Sequence, residues 1–352
     1  MAKVLNLMKS HKLLIAIVGS GFGQYGLLPA FRTLENCEVV AICGKKRPQL
    51  TEYCEKIGLN NIYSDWQTLL ENEKLDALAL AVTPSAQYKI AKSAIKKGLH
   101  VFAEKPLALN TRQARELLSL ARENKIVHGV DFMFPEIPEW QKTKKLLDKE
   151  TFGKLRSISV RWEFLSYDIK NKIKSWKTDE AEGGGALSFF FSHGLYYLEY
   201  FAGKITGIKS TLTYSNESLN GAEVAADMSL KFENGSVGKA RVCSNHQGPA
   251  KHEIIFECEK GIITLENGSD KVVDNFTLKV SSGNETKTLE LKKEKDLPGD
   301  GERVKIVRKL AKRFVESCLK NKPMRPSFED GLRVQMLIDK IRSVSKKQNL
   351  NN

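Results

Sequence analysis

The sequence lacks any apolar run long enough to form a transmembrane helix, which argues against an integral membrane protein. Its first residues, MAKVLNLMKSHK, also lack the apolar stretch and the small-residue cleavage site of a secretory signal. Hydrophobic residues make up 41% of the 352 residues and charged residues 28%, which is typical of a globular protein with a sizeable core. We therefore expect a cytoplasmic protein without a membrane partner, and its length predicts two domains.

Cysteine is scarce, and the C-x-x-C spacing typical of zinc and redox sites is absent. The six cysteines are Cys37, Cys43, Cys54, Cys243, Cys258 and Cys318. Several lie in apolar, strand-like runs, which favours buried free thiols in a reducing compartment over disulfides or zinc ligands. Metal-ligand spacing is also absent among His11, His100, His128, His246 and His252. We therefore predict no metal site.

Acidic residues are fewer than basic ones, 42 against 56, so the formal net charge is +14. The basic residues are spread over the chain, with a local excess in residues 303–313. There, apolar residues recur at helical spacing and leave the lysines and arginines on the opposite face. A solvated helix surface explains this pattern better than nucleic-acid binding, so we predict no nucleic-acid partner. Anionic small molecules and an anionic membrane surface are compatible with the charge.

A continuous apolar run, Leu13–Val18, leads directly into clustered glycines in the sequence LLIAIVGSGFGQYG. Such a run is typical of a parallel strand that is covered on both faces. Gly19 would permit a tight turn, and Gly21 would let the backbone approach a pyrophosphate. The helix that follows would direct its N-terminal amides and its dipole at the negative charge. The segment therefore predicts a dinucleotide site, with an ordinary strand–helix turn as the alternative.

The glycine pattern departs from the usual G-x-G-x-x-G at its sixth position, where Gln24 stands. Gly23 and Gly26 flank this position, and we expect them to share the close packing of the helix. Phe22 lies within the turn, where it would either contact the diphosphate or be buried at the edge of the sheet.

Strand-like and helix-like segments alternate through the N-terminal part of the chain. The predicted strands are Leu13–Val18, Glu38–Cys43, Asp76–Val82, His100–Ala103 and Ile126–Val130. This alternation predicts a parallel sheet with right-handed crossovers. We therefore assign residues 1–130 to a Rossmann-type dinucleotide-binding domain.

The remainder of the chain shows strict alternation of apolar and polar residues, as in Leu155–Phe164. Asn234-Gly235 and Asn267-Gly268 are typical hairpin turns. Helices are predicted at 139–147, 193–201, 302–319 and 329–346, the last packing back on one of the domains. We therefore assign residues 131–352 to an α+β domain with an open, mainly antiparallel sheet.

Four segments in the right order together resemble one family. They are VTPSAQY at 82–88, HVFAEKPLA at 100–108, SWKTDEAEGGGAL at 175–187 followed by His193, and FEDGLRVQMLIDKI at 328–341. These are similar to the Thr-Pro loop, the Glu-Lys-Pro signature, the tryptophan loop with its glycine run and catalytic histidine, and the closing helix of the glucose–fructose oxidoreductase / inositol dehydrogenase / MocA (Gfo/Idh/MocA) family. The resemblance covers nearly the whole chain.

The resemblance implies a nicotinamide-dependent oxidoreductase that acts on a sugar, a cyclitol or a related alcohol or ketone. Lys105 would bind the substrate oxygen and stabilise the developing alkoxide, while Glu104 and Pro106 hold its turn. His193 would act as the acid/base, because the pKa of imidazole lies near neutral pH. The alternatives are a surface lysine that ends a strand and a histidine of the core. The same resemblance suggests that Trp176 lies near the nicotinamide, with plain packing as the alternative.

The chain departs from the family pattern around the presumed substrate pocket. Phe189 stands four residues before His193, where the family has an aspartate that would orient the imidazole. Phe191, Tyr196 and Met133 replace a usual glycine, aspartate and arginine. Proton transfer would then depend on Lys105, on water, or on a carboxylate such as Asp179 or Glu182. These changes predict a more apolar pocket, and they motivate a second hypothesis, a catalytically silent dinucleotide-binding sensor or regulator. A lyase or glycosidase that retains its cofactor is a further alternative.

The residues after the second strand favour NADP(H) over NAD(H). An NAD site places an acidic residue there, whereas this chain has Gly44-Lys45-Lys46-Arg47. The three cations would bind a 2′-phosphate, unless they merely form a solvated turn. The residues assigned to the cofactor are Gly19, Ser20, Gly21, Phe22, Gly23, Gly44, Lys45, Lys46, Arg47, Thr83, Pro84, Glu104, Lys105 and Trp176. An open antiparallel sheet often forms a subunit interface in the family, which implies a homo-oligomer, either a dimer or a tetramer.

Overall fold

The computed structural model describes residues 12–292 and 295–350, which divide into two compact units. Within this part of the chain, unit 1 holds the residues up to 107 together with 112–131 and 296–331. Unit 2 holds residues 108–111, the described residues from 132 to 295, and those from 332 onwards. The division differs from the predicted single boundary after residue 130, because segment 296–331 belongs to unit 1 and not to the second domain.

The parallel sheet of unit 1 has six strands in the order β3-β2-β1-β4-β5-β6. They are β1 (Leu13–Val18), β2 (Cys37–Cys43), β3 (Ile62–Tyr63), β4 (Ala77–Leu80), β5 (His100–Ala103) and β6 (His128–Val130). Every neighbouring pair is parallel, as predicted. Strand order reverses between β1 and β4, and sheets of this type bind ligands beyond the carboxyl ends of the strands at that position. Only β3 was not predicted, because two residues are too few to show a pattern.

The helices predicted at 139–147, 193–201, 302–319 and 329–346 are present, with each bound within two residues of the predicted one. The α-helices of the described residues are α1 (Leu28–Arg32), α2 (Pro48–Ile57), α3 (Trp66–Asn72), α4 (Pro84–Lys96), α5 (Thr111–Glu123), α6 (Pro138–Asp148), α7 (Tyr167–Lys170), α8 (Ser192–Ala202), α9 (Val304–Lys320) and α10 (Phe328–Val344). Short helical turns lie at 23–27, 134–136, 176–178 and 186–190. Side chains cap several helices, as where Asp65 Oδ2 accepts the Thr68 N–H of α3 at 2.8 Å.

Helix α9 joins unit 1 because its apolar face packs against aromatic residues of that unit. The ring of Phe314 lies 6.2 Å from that of Phe31 and 5.5 Å from that of Phe102, measured between centroids. All three side chains are fully buried. Helical spacing in the sequence predicted the apolar face of α9, but not the sheet on which it packs.

Unit 2 is built on a nine-stranded sheet with the order β14-β13-β12-β11-β7-β10-β9-β8-β15. Its strands are β7 (Leu155–Glu163), β8 (Ile205–Tyr214), β9 (Ala225–Phe232), β10 (Val237–Cys243), β11 (Lys251–Cys258), β12 (Gly261–Asn267), β13 (Thr277–Ser282), β14 (Glu285–Thr288) and β15 (Lys346–Asn349). The β7–β10 and β8–β15 pairs are parallel, and the other pairs are antiparallel. The predicted α+β domain with a mainly antiparallel sheet is therefore confirmed.

One of the two predicted hairpin turns is present. Gly235, at a φ of 86°, lies in the turn that joins β9 to β10. The prediction at Asn267-Gly268 is wrong, because β13 begins only at Thr277. Asn267 instead ends β12 and organises the following loop, where its Nδ2 donates to the backbone oxygens of Lys271 at 2.6 Å and Asp274 at 2.9 Å.

The cysteines are free thiols, and all except the half-buried Cys258 are buried, as predicted. Burial raises the pKa of Cys37 to about 12 and that of Cys43 to about 11. In the part of the chain that the structure describes, no helix is long and apolar enough to span a bilayer. Nor do the residues at 12–292 and 295–350 bring together three or more histidine, cysteine or acidic side chains in a metal-binding group.

Candidate functional site

The turn after β1 requires glycine at its first position. Gly19 has a φ of 130°, and a Cβ there would lie 2.1 Å from the carbonyl oxygen of Ala81. Its N–H donates to the Cys43 oxygen at 2.7 Å, so the turn is fixed between the neighbouring strands. Gly21 is different, because no atom lies within 4 Å of the place that its Cβ would occupy. Its exposed backbone is therefore open to a ligand.

The remaining glycines of the turn serve packing, as expected. A Cβ on Gly23 would lie 3.2 Å from Ile17 Cγ2, and one on Gly26 would lie 2.3 Å from the ring of Phe22. Phe22 therefore covers the start of its own helix. The guanidinium carbon of Arg303 lies 4.5 Å from the centroid of this ring, a cation–π contact that the sequence did not indicate.

The turn after β2 lies directly against the glycine turn. A Cβ on Gly44 would lie 2.8 Å from the backbone nitrogen of Ser20, so the approach requires glycine at this position. Lys45, Lys46 and Arg47 follow, and all three are exposed. None of them is paired with an acidic side chain among the residues that the structure describes. Three cations are thus available beside the open backbone of the glycine turn.

A buried glutamine on α4 holds the turn that carries Lys105. Thr83 and Pro84 open α4, and one turn later Gln87 is only 1% exposed. Its Nε2 donates to the backbone oxygens of Glu104 at 2.7 Å and of Pro106 at 3.1 Å. Its Oε1 accepts the Glu104 N–H at 3.1 Å. Gln87 thereby fixes the backbone on both sides of Lys105.

Sequence reasoning missed Gln87 in this role, although a signal was present. The buried residues of α4 include Pro84, Ala91 and Ala94, which share one face of the helix with Gln87. An amide on a buried helix face needs hydrogen-bond partners within the protein. No polar residue close to Gln87 in the sequence matches it, so its hydrogen-bond partners could not be identified from the sequence.

A second acidic residue, Asp131, lies beside Glu104 at the ends of β5 and β6. Its N–H donates to the Ala103 oxygen at 2.9 Å, and its side chain is only 2% exposed. Burial raises the pKa of Asp131 well above its ordinary value, and the negative charge of the neighbouring Glu104 raises it further. The positive charges of Lys105 and Arg303 act in the opposite direction. Sequence reasoning missed Asp131 and Arg303 because neither lies in a recognisable motif.

His193 of unit 2 is buried among aromatic rings at the start of α8. It is 5% exposed, and its ring lies edge-on to Phe132 at 6.0 Å and to Phe134 at 5.0 Å. Tyr196, one helical turn further on, stacks on Phe132 at 4.4 Å. Aromatic rings therefore surround the His193 imidazole, whereas a more ionic pocket would have charged groups at these positions.

Phe189, which replaces the family aspartate, continues this aromatic environment. Its ring lies 5.1 Å from that of Trp176 and 4.5 Å from that of Phe190. The ammonium of Lys177 lies 5.2 Å from the Phe189 centroid. Trp176 thus packs edge-on against Phe189 within unit 2.

The glycine run before α8 is fixed by a buried glutamate, Glu223. Gly185 has a φ of 99°, and a Cβ there would lie 2.2 Å from Glu223 Oε1. The same oxygen accepts the Leu187 N–H at 3.0 Å. Arg342 donates to the Gly184 oxygen at 2.9 Å and to Glu223 Oε2 at 3.5 Å. Glu223 therefore anchors the helical turn that leads to His193, a role that the sequence did not show.

Another buried histidine, His252, belongs to the core of unit 2. It stacks on Trp162 at 4.4 Å, and its Nε2 lies 3.1 Å from the hydroxyl of Tyr197. Complete burial lowers its pKa from 6.5 to about 3, so this imidazole is neutral at physiological pH.

The predicted site residues fall into two groups. At the carboxyl ends of the strands of unit 1 lie Gly19, Ser20, Gly21, Phe22, Gly23, Gly44, Lys45, Lys46, Arg47, Thr83, Pro84, Glu104 and Lys105. His193 and Trp176 lie in unit 2. The groups of unit 1 form an exposed backbone cradle with cations beside it and a lysine at the end of a central strand. Such an arrangement can bind phosphates and stabilise negative charge on oxygen.

Two family models match the chain. Residues 13–132 match an oxidoreductase family with an NAD-binding Rossmann fold, and residues 140–264 match the GFO/IDH/MocA C-terminal domain. An uncharacterised oxidoreductase from Synechocystis sp. is 29% identical over 349 residues, which cover 94% of this chain and 93% of that protein. Levoglucosan dehydrogenase from Pseudarthrobacter phenanthrenivorans is 24% identical over 211 residues, or 56% of this chain and 53% of the enzyme.

Solved structures share the fold at lower identity. A 3-ketoreductase from Actinomadura kijaniata, in complex with TDP-benzene and NADP, aligns with a TM-score of 0.79 at 19% identity, over 97% of this chain and 100% of that one. A levoglucosan dehydrogenase in complex with NADH and levoglucosan aligns with a TM-score of 0.82 at 19% identity, over 95% and 97% of the two chains. These likenesses show a common architecture.

Proposed function

The chain belongs to the Gfo/Idh/MocA oxidoreductase family, and we propose that it transfers hydride between NADP(H) and a sugar, a cyclitol or a related alcohol or ketone. The observation that carries this proposal is the arrangement at the carboxyl edge of the unit 1 sheet. There, an open glycine turn lies against a turn with three exposed cations, and Lys105 follows the neighbouring strand β5.

The residues of the turn fit a dinucleotide. Gly21 leaves its backbone open, and the Gly44–Ser20 approach brings Lys45, Lys46 and Arg47 next to it. These cations would neutralise a 2′-phosphate, while no acidic side chain follows β2 to bind the ribose hydroxyls of NAD. The two fold relatives are named with NADP in one case and NADH in the other, so the local residues of each chain must decide the choice.

The bound nicotinamide would supply or accept the hydride at the substrate carbon. Lys105 would bind the substrate oxygen and stabilise the negative charge that develops on it. His193, which lies in unit 2, would act as the acid/base, as the family resemblance implies. Gln87 supports the first role by fixing the backbone around Lys105, and Glu223 supports the second by anchoring the turn before α8.

The cofactor assignment is tested by titrating the protein with NADPH and separately with NADH, followed by nicotinamide fluorescence. We expect tighter binding of NADPH. The variant K45A/K46A/R47A should weaken NADPH binding by about a hundredfold and change NADH binding by less than about threefold. The matched control K170A/K172A/K174A removes the same charge from exposed residues of unit 2 and should leave both affinities unchanged.

Each outcome has a distinct meaning. Failure to bind either nucleotide would overturn the oxidoreductase assignment for this chain. Tighter binding of NADH, or an equal effect of the two triple variants, would overturn only the preference for NADP(H). A panel of polyols and ketoses then tests turnover with the preferred nucleotide.

Phe189 supports a second candidate, a dinucleotide-binding sensor without turnover. The rings of Trp176 and Phe190 surround the position where the family aspartate would orient the imidazole. Tight NADPH binding without turnover on the whole panel would favour the sensor. Retention of bound NADP(H) through many turnovers would instead indicate a lyase or glycosidase that uses the cofactor internally.

We also propose a homo-oligomer that assembles through the open sheet of unit 2. The outward residues of this sheet include exposed apolar side chains, Val237 at 50% and Ile262 at 41% exposure. Light scattering of the purified protein should give the mass of a dimer or a tetramer. V237E/I262E should shift that mass toward the monomer if this face is the interface.

A further inference from the structure

Arg303 lies beside the glycine turn, although it directly precedes α9 and is far from that turn in the sequence. Its guanidinium carbon is 4.5 Å from the centroid of the Phe22 ring. Phe22 directly follows Gly21, the exposed glycine whose backbone is open to a ligand. The loop before Arg303 approaches the same helical turn, because a Cβ on Gly301 would lie 3.8 Å from the backbone oxygen of Tyr25. All of these residues belong to unit 1, so this compact unit places a cation next to the open backbone.

The start of α9 is held in this position by a neighbouring arginine, Arg308. Its Nη2 lies 2.5 Å from Asp300 Oδ1, and its Nε donates to Thr33 Oγ1 at 2.8 Å. Asp300 also orders the loop before α9, since its Oδ2 accepts the Leu297 N–H at 2.9 Å. Thr33 ends α1, the helix that follows the glycine turn. Groups other than the Arg303 side chain therefore fix α9 next to this turn.

The Arg303 side chain has no partner of this kind. Within residues 12–292 and 295–350, its guanidinium forms neither a hydrogen bond nor an ion pair with a protein group. An aromatic ring such as Phe22 attracts the cation but has no oxygen to accept its N–H donors. A half-buried guanidinium that is held in place with its donors unused is suited to an anionic ligand, and phosphate oxygens match its planar fork.

We propose that Arg303 binds the diphosphate of the dinucleotide together with the backbone of the glycine turn. The inference rests on the proposed function, because it deepens the assignment of this turn to NADP(H). The diphosphate is common to NADP(H) and NAD(H), whereas Lys45, Lys46 and Arg47 are assigned to the 2′-phosphate that only NADP(H) carries. Arg303 thus contributes to the affinity for both nucleotides, and the three other cations determine the choice between them.

The contact with Phe22 reduces the entropy that Arg303 loses when the nucleotide binds. A long side chain gives up rotamer freedom when a ligand fixes it. The Phe22 ring already restricts the guanidinium in the cofactor-free protein, next to the place where the backbone N–H groups of the turn would receive a phosphate. Differences in affinity at one site arise chiefly from dissociation rates. We therefore expect Arg303 to slow the release of the nucleotide.

Three ligands separate the diphosphate from the rest of the nucleotide. They are NADPH, NADH and adenosine 2′-monophosphate, which carries the 2′-phosphate but no diphosphate. In calorimetric titrations, Arg303→Met should weaken NADPH and NADH by the same factor, about twentyfold, and change the affinity for the monophosphate by less than about threefold. Stopped-flow fluorescence should show faster release of NADPH. K45A/K46A/R47A should give the reverse pattern, with weaker NADPH and monophosphate binding and nearly unchanged NADH binding.

Two further variants separate binding from structure. Arg303→Lys keeps the charge without the planar fork and should recover part of the lost affinity. Arg115→Met, the matched control, removes an exposed guanidinium from α5 of the same unit and should change none of the dissociation constants. Arg303→Met should unfold within about 0.5 M of the wild-type urea midpoint, because Arg308 holds α9 in place. If this variant does not fold, Arg303→Gln removes the charge and keeps a polar side chain.

The outcomes distinguish the inference from the proposed function. Unchanged affinity for NADPH and NADH in Arg303→Met would overturn the inference and leave the proposed function standing. The same holds for a loss confined to NADPH, or for an equal loss with adenosine 2′-monophosphate, because either result would assign Arg303 to another part of the nucleotide. Failure of the wild-type protein to bind NADPH or NADH would overturn the proposed function and the inference with it.

Discussion

The candidate groups of unit 1 and those of unit 2 are built on different physical principles. In unit 1, Lys105 and Glu104 follow β5 and Asp131 follows β6, and the charges of Lys105, Glu104 and Arg303 all act on Asp131. In unit 2, His193 is buried among the rings of Phe132 and Phe134. Electrostatics thus dominates the first group and packing the second. Substitutions that change a charge should therefore lower activity most when they are made in unit 1. Unit 2 should respond chiefly to substitutions that change side-chain volume or backbone conformation.

The largest expected effect is the loss of the Lys105 ammonium. Lys105→Met keeps the length of the side chain but removes its charge, and we expect kcat to fall by about 10²–10⁴-fold with NADPH binding largely retained. His193→Asn should lower kcat by less, about tenfold, because the rings around it contribute no charge to the transition state. Initial rates and nucleotide titration measure both variants. Equal losses of kcat would show that Lys105 and His193 depend on each other, and they would contradict this comparison.

Lys92→Met is the matched control for Lys105→Met. Lys92 also belongs to unit 1, where it is paired with Glu116 at 2.5 Å away from the glycine turn. Surface ion pairs contribute little to stability, at most about 1 kcal/mol, so this variant should fold and keep its kcat. A comparable fall in kcat would mean that the effect at position 105 reflects the folding of unit 1 and not its chemistry.

The second effect compares one glycine of each unit. Gly19→Ala and Gly185→Ala both place a Cβ at a positive φ, 130° and 99°, and both should lower the free energy of unfolding by about 3 kcal/mol. The group with which the new Cβ would clash differs between the two positions. It is the Ala81 carbonyl at Gly19 and the Glu223 carboxylate at Gly185. Urea denaturation should show that the additional change Glu223→Asp recovers part of the loss in Gly185→Ala. Gly21→Ala, in open space, is the control and should change stability by less than about 1 kcal/mol.

Residues whose role depends on local backbone conformation could be predicted from the sequence. Gly19 and Gly21 were predicted because a tight turn and the close approach of a ligand favour glycine, and such preferences leave a local pattern. Gly44 was assigned only by its place after the second strand, and its close approach to Ser20 was not predicted. Strand and helix positions were predicted for the same reason, since their periodicity is local. The Lys105 and His193 motifs came from the family resemblance.

The supporting residues could not be found in this way. Gln87 and Glu104 lie 17 positions apart, and Leu187 and Glu223 lie 36 positions apart. Each pair depends on how the strands are ordered in the sheet, which no local pattern contains. The assignment of α9 to unit 1 was missed for a related reason, because an amphipathic helix does not show which sheet covers its apolar face.

The third effect is a pH dependence of opposite sign in the two units. His252 of unit 2 has a pKa of about 3 in the folded protein and 6.5 ordinarily, so only the unfolded chain takes up this proton between those values. The free energy of unfolding should therefore fall as the pH decreases below about 6.5, by up to about 1.4 kcal/mol per pH unit from this group. The variant H252F/Y197F removes the titration and leaves no buried hydroxyl without a partner. Below about pH 6.5, the free energy of unfolding of this variant, measured by urea denaturation, should depend less steeply on pH than that of the wild-type protein.

Asp131 of unit 1 should act with the opposite sign. Because its pKa is raised in the folded protein, its contribution to stability is complete below the ordinary pKa of 3.8 and is lost as the pH rises through the folded value. Asp131→Asn should therefore remove a decline of the free energy of unfolding that begins above about pH 3.8 as the pH rises. If both variants change the slope of the stability curve with the same sign, the separation of a charged unit 1 from a packed unit 2 does not hold.

The smallest effect concerns thiol reactivity. Burial raises the pKa of Cys37 to about 12 and that of Cys43 to about 11 in unit 1, whereas Cys258 of unit 2 is only half-buried. Because the thiolate is the reactive form, an aromatic disulfide reagent should modify Cys258 first in the native protein. The substitution Cys258→Ser should abolish this early phase and leave stability and nucleotide binding unchanged. An early phase that survives this substitution would show that a buried thiol opens to solvent more readily than its burial implies. Its location at Cys37, Cys43, Cys54 or Cys318, and not at Cys243, would make unit 1 the more dynamic of the two.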